Sequence, residues 1–484
     1  MDQIFLYNKA KRYSYHEFDT ACVALRKKLP PGSNKKLVVL SSQPELYYFA
    51  FYFCFTQDYI YCPINIDDTI PLIANKIDIL NPGVILTNEN FFLSHWRETD
   101  NVYEPMQLPS FGPCYLCFRE TEMPDNFSTD DIRYILFTSG TTGAAKGVPI
   151  SNANIAAFTD NMQELFEVVE TDVIANTFKF SFDLSIWTML MAWTNGAAIA
   201  HIPYDDLRNG TYNPVYELCS IICLLPSALR IMHKNNILPQ FSPNRIKHIL
   251  FCGEPLQDTD WQLMRDHFNR SDIYNCYGPT ELTIYCSVYK VEGSPQTHNR
   301  VVSIGKLNIG SRAYIGDASL SEDGYVEGEL YITGEQTFNG YINMPEHSGF
   351  VEYNGKRYYK TGDKIMYHRE EELYFYAGRV DREIKYFGHR INLNNLEYVF
   401  SGIGPISETA AIFSRKYMTI GLFFTSEPGF KLEENMHLLQ HIPSWLRPTH
   451  YFPTPQFPLN ANFKTDYSAL EQFYDRYLET KYQD

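Results

Sequence analysis

Tyr134-Ile-Leu-Phe-Thr-Ser-Gly-Thr-Thr-Gly-Ala-Ala-Lys-Gly-Val148 is the stretch from which the rest of the chain can be read. Its opening apolar run, Tyr134 to Phe137, reads as a buried strand. The run breaks into Thr138, Ser139, Gly140, Thr141, Thr142 and Gly143, followed by Lys146 and Gly147. Glycines let the backbone turn sharply and bring N–H groups close to a ligand, hydroxyls add donors, and lysine adds a point charge. Such a loop suits an anion with several oxygens, of which phosphate is the obvious one. It is not a Walker A loop, because Lys146 is followed by Gly147 and not by Ser or Thr. A helix is expected to begin near Ser151.

The bulk numbers bound the possibilities. At 484 residues the chain exceeds one ordinary domain, and a hydrophobic content of 44% supports large cores. A net charge of −16 disfavours nucleic acid as a partner, though a nucleotide needs only local positive groups. The abundance of Tyr (36) and Phe (33) predicts aromatic-rich cores and pockets. The ten cysteines are scattered; Cys114 and Cys117 form one C-x-x-C, but no second pair or neighbouring histidine completes a metal site, so free buried thiols are expected. There is no signal-peptide pattern, and the longest apolar run, Leu46 to Thr56, is too short to span a bilayer. The expectation is a reduced, cytoplasmic enzyme with no membrane partner.

Taken in order, the chain alternates. Ala21 to Leu29 has helical spacing, Lys36 to Leu40 reads as a strand, Glu45 to Phe55 as a helix, Tyr59 to Asn65 as a strand, Ile70 to Leu80 as a helix and Pro82 to Thr87 as a strand. Alternation of this kind points to an α/β layered fold with parallel pairing, the aromatic run Tyr47 to Phe55 facing the core. From Glu89 to Asp130 the pattern dissolves into an expected irregular connection. In Phe178-Lys-Phe-Ser-Phe-Asp-Leu-Ser-Ile-Trp187 the carboxylate of Asp183 lies among bulky apolar residues, where it either caps a helix over Leu184 to Trp193 or meets a ligand. Three further strands, ending at Pro226, at Gly253-Glu254-Pro255 and in Tyr277-Gly-Pro-Thr-Glu281, should place their loops along one sheet edge, where ligands bind in such folds.

The loop at 138–147, the Tyr277-Gly-Pro-Thr-Glu281 run, Gly328-Glu-Leu-Tyr-Ile-Thr-Gly334, Asn339-Gly-Tyr341, Tyr358-Tyr-Lys-Thr-Gly-Asp363 and Ala377-Gly-Arg-Val-Asp381 together resemble the motif series of the adenylate-forming superfamily. That superfamily includes acyl-CoA synthetases, luciferases and amino-acid adenylation domains, and the resemblance runs from about Tyr13 to Leu470. It implies an α/β fold with a large adenylation core over residues 1–380, built of layered α/β subdomains plus a small β-barrel subdomain, and a small mobile α+β lid over 381–484 pivoting at Asp381. ATP and Mg2+ are the implied cofactors. Thr138, Ser139, Gly140, Thr141, Thr142, Gly143 and Lys146 would hold phosphate; Gly253, Glu254, Asn275, Tyr277, Gly278 and Tyr376 would surround the nucleotide. Asp363 would take the ribose hydroxyls and Arg379 ribose or phosphate. Thr280 would reach the α-phosphate, Glu281 would hold Mg2+, and Lys464 would stabilise the transition state. Gly388 would let a pantetheine arm approach.

Two departures stand out: Glu383 replaces the usual Gln, and Phe463 replaces Gly in the lysine loop Phe457-Pro-Leu-Asn-Ala-Asn-Phe-Lys464. Relatives that take amino acids carry Asp where Asp183 stands, so Asp183 would hold the substrate ammonium. The pocket implied by the resemblance is Asp183, Leu184, Trp187, Cys223, Leu250, Cys252, Cys276, Ile284 and Tyr285, which suits a small uncharged amino acid. Phe251-Cys-Gly-Glu254 and Phe182-Asp-Leu-Ser185 resemble D-alanine–carrier protein ligases. The expected reaction is ATP-dependent formation of an aminoacyl adenylate, then transfer to the phosphopantetheine thiol of a carrier protein in trans, by a free-standing chain. The alternatives are an acyl- or aryl-CoA ligase, which Asp183 disfavours, and a non-catalytic relative, which retention of Lys464, Glu281 and Asp363 disfavours.

Overall fold

The computed structural model describes residues 3–29, 34–89, 101–119, 131–139, 145–321, 324–344, 349–386, 389–414, 416–439, 442, 447–460 and 463–482. Contacts divide the chain into two compact units, residues 1–314 with 331–359, and residues 315–330 with 360–484. The strands Arg312–Leu320, Val326–Thr333 and Lys356–His368 run through the division.

The first unit is built on two large mixed sheets. One has seven strands in the order Asn101–Leu108, Gly112–Arg119, Val84–Thr87, Lys36–Leu40, Ile60–Pro63, Ile132–Ser139, Ala145–Ser151. The other has nine, with Asp272–Tyr277, His248–Phe251, Ile221–Leu224, Val173–Asn176, Ala198–His201 and Ile4–Asn8 as consecutive parallel neighbours. The expected strand–helix alternation is present: Pro44–Gln57 and Ile70–Leu80 are helices, with proline in the first turn of each. Pro44–Gln57 is apolar all round, and Leu46 to Cys54 are all buried. It packs on the strands of the first sheet and on helix Asp183–Asn195, which in turn packs on the second sheet. Two largely buried helices therefore pack on each other, each also against one of the sheets, which is why the aromatic run faces a core.

Three expectations are corrected. The stretch expected to be irregular contains a hairpin, Asn101–Leu108 with Gly112–Arg119, added antiparallel to the sheet edge; the interspersed prolines hid its alternation. Lys146 and Gly147 are not loop but the start of strand Ala145–Ser151, antiparallel to Ile132–Ser139. Asp183 is not a cap: Phe182 holds that position without a side-chain bond, and Asp183 is the first helical residue. The ten cysteines are buried and form no disulfide, and among the described residues no three His, Cys, Asp or Glu side chains are placed to hold a metal. No helix among them is long and apolar enough to cross a membrane.

The second unit carries a three-stranded sheet, Ile406–Ser414, Thr419–Ser426 and His450–Pro453. Strict alternation supplies two faces. Ala411, Leu422 and Phe424 join Leu396 and Phe400 of helix Leu393–Ser401. Ala410, Ile412 and Phe423 join Leu470, Tyr474 and Leu478 of helix Tyr467–Lys481, a helix that the sequence reading missed. Arg382 forms a 2.6 Å ion pair with Glu397, whose carboxylate also accepts from Ala411 N–H and the Tyr467 hydroxyl. The Arg382 guanidinium lies over the Tyr467 ring, 4.2 Å from its centroid.

His201, at the end of a central strand of the first unit, meets the Tyr48 hydroxyl at 3.0 Å and stacks on Phe180. Burial, with Lys9 adding, pushes its pKa down to about 4. An unfolded imidazole takes a proton near pH 6.5, whereas the folded one refuses it until about pH 4, so stability should fall with pH across that window by roughly 3 kcal/mol. Denaturant titrations of wild type and His201→Gln at pH 7, 5.5 and 4.5 should show a smaller acid loss in the variant; equal slopes would exclude His201 as the source.

Candidate functional site

Adjacent parallel strands bring several of the residues expected in the pocket to neighbouring positions. Cys223 and Leu250 are direct cross-strand partners on Ile221–Leu224 and His248–Phe251. Cys252 follows the second of these strands, and its N–H donates to Leu224 O at 3.2 Å; Cys276 lies on the next strand. Trp187 stands one helical turn beyond Asp183, on the same face. Asp183 is 5% exposed, and Leu184, Trp187, Cys223, Leu250, Cys252, Cys276, Ile284 and Tyr285 are all buried. Burial first, then the neighbouring Cys252 and Asp183, push the Cys223 thiol well up; burial and the other two thiols do the same for Cys276. Trp187 Nε1 and Tyr285 Oη are buried without a hydrogen-bond partner, although the indole lies close enough to favour the ionised phenol against the burial that pushes it up. The structure therefore brings Cys223, Cys252, Cys276, Tyr285 and Trp187 together, with Asp183 beside Cys223.

The Thr280 hydroxyl donates to Asp183 Oδ2 at 2.6 Å. Thr280 was expected at a phosphate and Asp183 at an ammonium, so the two expected subsites are one hydrogen bond apart. Helix Asp183–Asn195 also presents its positive end to the Asp183 carboxylate. Burial pushes the Tyr134 hydroxyl well up, with the charge of Asp183 adding.

Thr280, Glu281, Ile284 and Tyr285 come from one strained turn. Thr283 has φ +58° and Ile284 φ +72°, left-handed values that β-branched residues rarely adopt. A buried amide network holds the turn. Gln336 Nε2 donates to Tyr285 O at 2.9 Å and Leu282 O at 3.2 Å, and its carbonyl accepts from Asn308 Nδ2 at 2.9 Å. The Thr283 hydroxyl donates to Gln336 O at 2.6 Å, and Phe338 N–H to Glu281 O at 2.9 Å. Gly278 is required here, because a Cβ would lie 2.3 Å from Tyr285 Cα.

The loop expected to hold phosphate is described at its edges only. Thr138 pairs with Lys146 and Ser139 with Ala145 across the hairpin. Gly140, Thr141, Thr142 and Gly143, and the Ser139 side chain, lie outside the described residues. The Lys146 ammonium sits 5.3 Å from the Tyr341 ring centroid. Among the other expected nucleotide residues, Gly253 has φ +85°, and Glu254 accepts from Ser227 N–H and its hydroxyl, tying the start of helix Pro226–Lys234. The Asn275 amide donates to Val302 O and Ser303 O, and Tyr277 ends its strand, partly exposed.

In the second unit, Asp363 is 7% exposed and 3.3 Å from Arg379 Nη1, which also donates to Thr361 O. A Cβ on Gly362, at φ +71°, would meet Arg379 Nη2 at 2.7 Å. Burial pushes Tyr376 well up, Asp363 adding and Arg379 opposing. Gly388 and the Asp381 side chain lie outside the described residues. In the lysine loop, Asn460 N–H donates to Lys464 O at 2.8 Å, and the Asn460 side chain accepts from Lys464 N–H. Phe463 takes φ +61°, the left-handed conformation a glycine would adopt freely, so the substitution leaves the turn's hand intact at a local cost of about 1–2 kcal/mol. The sequence reading missed Gln336 and Asn308 and gave no polar partner to Tyr134 or Tyr341; buried amides carry no periodic signal, and a tyrosine in an apolar run does not show what its hydroxyl meets.

The AMP-binding enzyme family profile matches residues 1–342. The chain is 28% identical over 365 residues to the D-alanine–D-alanyl carrier protein ligase of Lactococcus lactis subsp. lactis, covering 71% of this chain and 70% of that protein. It is similar in fold to IdnL7 (TM-score 0.78, 21% identity, 98% of this chain and 96% of that one). A four-domain nonribosomal peptide synthetase bound to AMP and glycine is also similar (TM-score 0.75, 20% identity, 97% of this chain and 35% of that one).

Replacing Gln336 by Ala would leave the Tyr285 and Leu282 carbonyls and the Asn308 amide short of partners inside the core. The expected loss is about 2–4 kcal/mol of stability, seen as an earlier denaturant midpoint. A change below about 0.5 kcal/mol would show that the turn holds its shape without the amide.

Proposed function

We propose, from the premise that this chain belongs to the AMP-binding enzyme family, that it is a ligase activating a small neutral amino acid with ATP and passing it to the phosphopantetheine thiol of a carrier protein. The observation that carries this reading is the buried Asp183 carboxylate bonded to Thr280. Opposite charge in a dry pocket favours an amino acid over a simple carboxylic acid, because an acid without the ammonium would leave the carboxylate uncompensated. The D-alanine–carrier protein ligases among the relatives support the same direction.

In the first step a carboxylate oxygen of the amino acid attacks the α-phosphorus of ATP and pyrophosphate leaves. Two anions must be brought together, so positioning and fixed positive groups lower the barrier. Asp183 would hold the ammonium, and Thr280, one bond away, would turn its hydroxyl to the α-phosphate. Lys146 and the loop beginning at Thr138 would take the outer phosphates. Asn275, Tyr277, Gly278, Gly253, Glu254 and Tyr376 are proposed around the nucleoside, with Asp363 on the ribose and Arg379 beside it. Lys464 would offset charge on the α-phosphoryl oxygens. In the second step the thiol sulfur attacks the acyl carbon and AMP leaves, after a pivot at Asp381 and with Gly388 beside the pantetheine arm.

Glu281 offers the donor chemistry Mg2+ prefers, a hard carboxylate oxygen, buried at 6% exposure beside the Thr280 hydroxyl. Bound there, the ion would neutralise charge on the phosphate oxygens. Trp187 and Tyr285 are bulky and buried, and none of the proposed pocket residues besides Asp183 carries a charge, which favours alanine, serine, glycine or cysteine.

Pyrophosphate exchange across L- and D-amino acids and simple carboxylates tests the reading. Small neutral amino acids should be preferred, and preference for acids lacking an amine would replace it with the CoA-ligase alternative. Asp183→Asn should raise the amino-acid KM at least tenfold, as expected for loss of a charged contact, with the ATP KM unchanged; an unaltered amino-acid KM would remove the ammonium assignment. Lys464→Ala should lower the adenylation kcat at least a hundredfold; full activity would remove its role.

A further inference from the structure

The motif Asn339-Gly-Tyr341 has no part in the chemistry assigned above, yet the structure threads it between the two groups that meet the triphosphate. The Tyr341 hydroxyl donates to Glu281 Oε1 at 2.6 Å. It also lies 3.2 Å from the Tyr359 hydroxyl. Tyr341 spends its single proton on the carboxylate, and the Tyr359 phenol reaches both groups, held un-ionised by burial first and by Glu281 and Tyr341 beside it, so the three side chains form one cluster. The Lys146 ammonium rests over the Tyr341 ring.

The residues that follow are stapled to the base of the phosphate loop. Ile342 N–H donates to Gly147 O at 3.0 Å, Gly147 N–H to Asn343 Oδ1 at 3.1 Å, and Asn343 Nδ2 to Ala145 O at 2.7 Å. A Cβ on Gly147 would lie 2.6 Å from the Ile342 side chain, so the two segments are in closest contact. On the other side, Phe338 packs edge-on against both Tyr341 and Tyr359 and bonds through its N–H to Glu281 O.

We propose that Tyr341 is the positioning residue for the metal-binding carboxylate. Its hydroxyl commits Oε1 of Glu281, so the carboxylate keeps one orientation towards the cation, and its ring ties that orientation to Lys146 at the phosphate loop. The proposal rests on the assignment of Glu281 to Mg2+. A fixed carboxylate binds a metal with less loss of rotamer freedom than a swinging one, and an outer partner of this kind typically affects metal affinity by about 10–100-fold.

The test uses the full chain, Mn2+ in place of Mg2+, and the ATP analogue with a methylene between the α- and β-phosphates. Tyr341→Phe keeps the ring, its packing on Phe338 and its contact with Lys146, so folding is preserved and checked by thermal melting. The affinity for the Mn2+–analogue complex, followed by the electron paramagnetic resonance signal of Mn2+, should fall about tenfold. The affinity for metal-free AMP should stay within about twofold, a split that general loosening of the site would not produce. Equal Mn2+–analogue affinity in Tyr341→Phe and wild type, with Glu281→Gln impaired, overturns the proposal and leaves the reading of Glu281 standing. Equal affinity in Glu281→Gln and wild type overturns both.

Discussion

The turn from Pro279 to Tyr285 is held against its own preference, and the site depends on that restraint. Two consecutive β-branched residues, Thr283 and Ile284, sit in left-handed conformations that disfavour each by about 1–3 kcal/mol. Released, the turn would relax, and the side chains it aims would go with it. Gln336 and Asn308 oppose this by bonding the carbonyls of Leu282 and Tyr285, which would otherwise be buried without partners. The strain is tolerable because the alternative is several unsatisfied polar groups in the core. One short turn can therefore direct Thr280 at Asp183, Glu281 at Tyr341, and Ile284 and Tyr285 into the core.

The same logic explains the position of Asp183. A carboxylate on a helix buried between two sheets would be a defect if it served packing alone. Its place in the first turn gives it the positive end of the helix, and Thr280 supplies a proton. These arrangements give the carboxylate favourable partners in an apolar environment, and burial, with Asp183 adding, pushes the Tyr134 phenol and the Cys223 thiol beside it well up.

How much of this was legible in the sequence follows from the range of each interaction. The buried helices and parallel strands of the first unit were readable because apolar periodicity is local, and Lys36–Leu40 and Ile70–Leu80 were anticipated to the residue. The hairpin Asn101–Leu108 with Gly112–Arg119 was not, since four-residue proline spacing resembles a linker until pairing reveals the strands. Strand Ala145–Ser151 was hidden for a different reason: glycine and lysine weaken strand propensity, and its register comes from Ile132–Ser139 opposite. The grouping of Cys223, Leu250, Cys252 and Cys276 was implied by the family resemblance, whereas the clamp by Gln336, more than fifty residues from the turn it holds, joins chain segments that no local pattern links.

Phe463 shows how a departure from a motif can be absorbed. A glycine in a lysine loop is useful for its left-handed backbone, and the structure keeps that backbone with phenylalanine in place. What holds it is the Asn460 side of the turn, where one residue bonds Lys464 through its own N–H, through its carboxamide, and accepts Phe463 N–H on its carbonyl. Three bonds of roughly 1 kcal/mol each are enough to outweigh a left-handed penalty of about 1–2 kcal/mol. The backbone that carries Lys464 is thus set by the asparagine as much as by the residue at 463, so the hand of this turn can survive loss of the glycine as long as Asn460 remains.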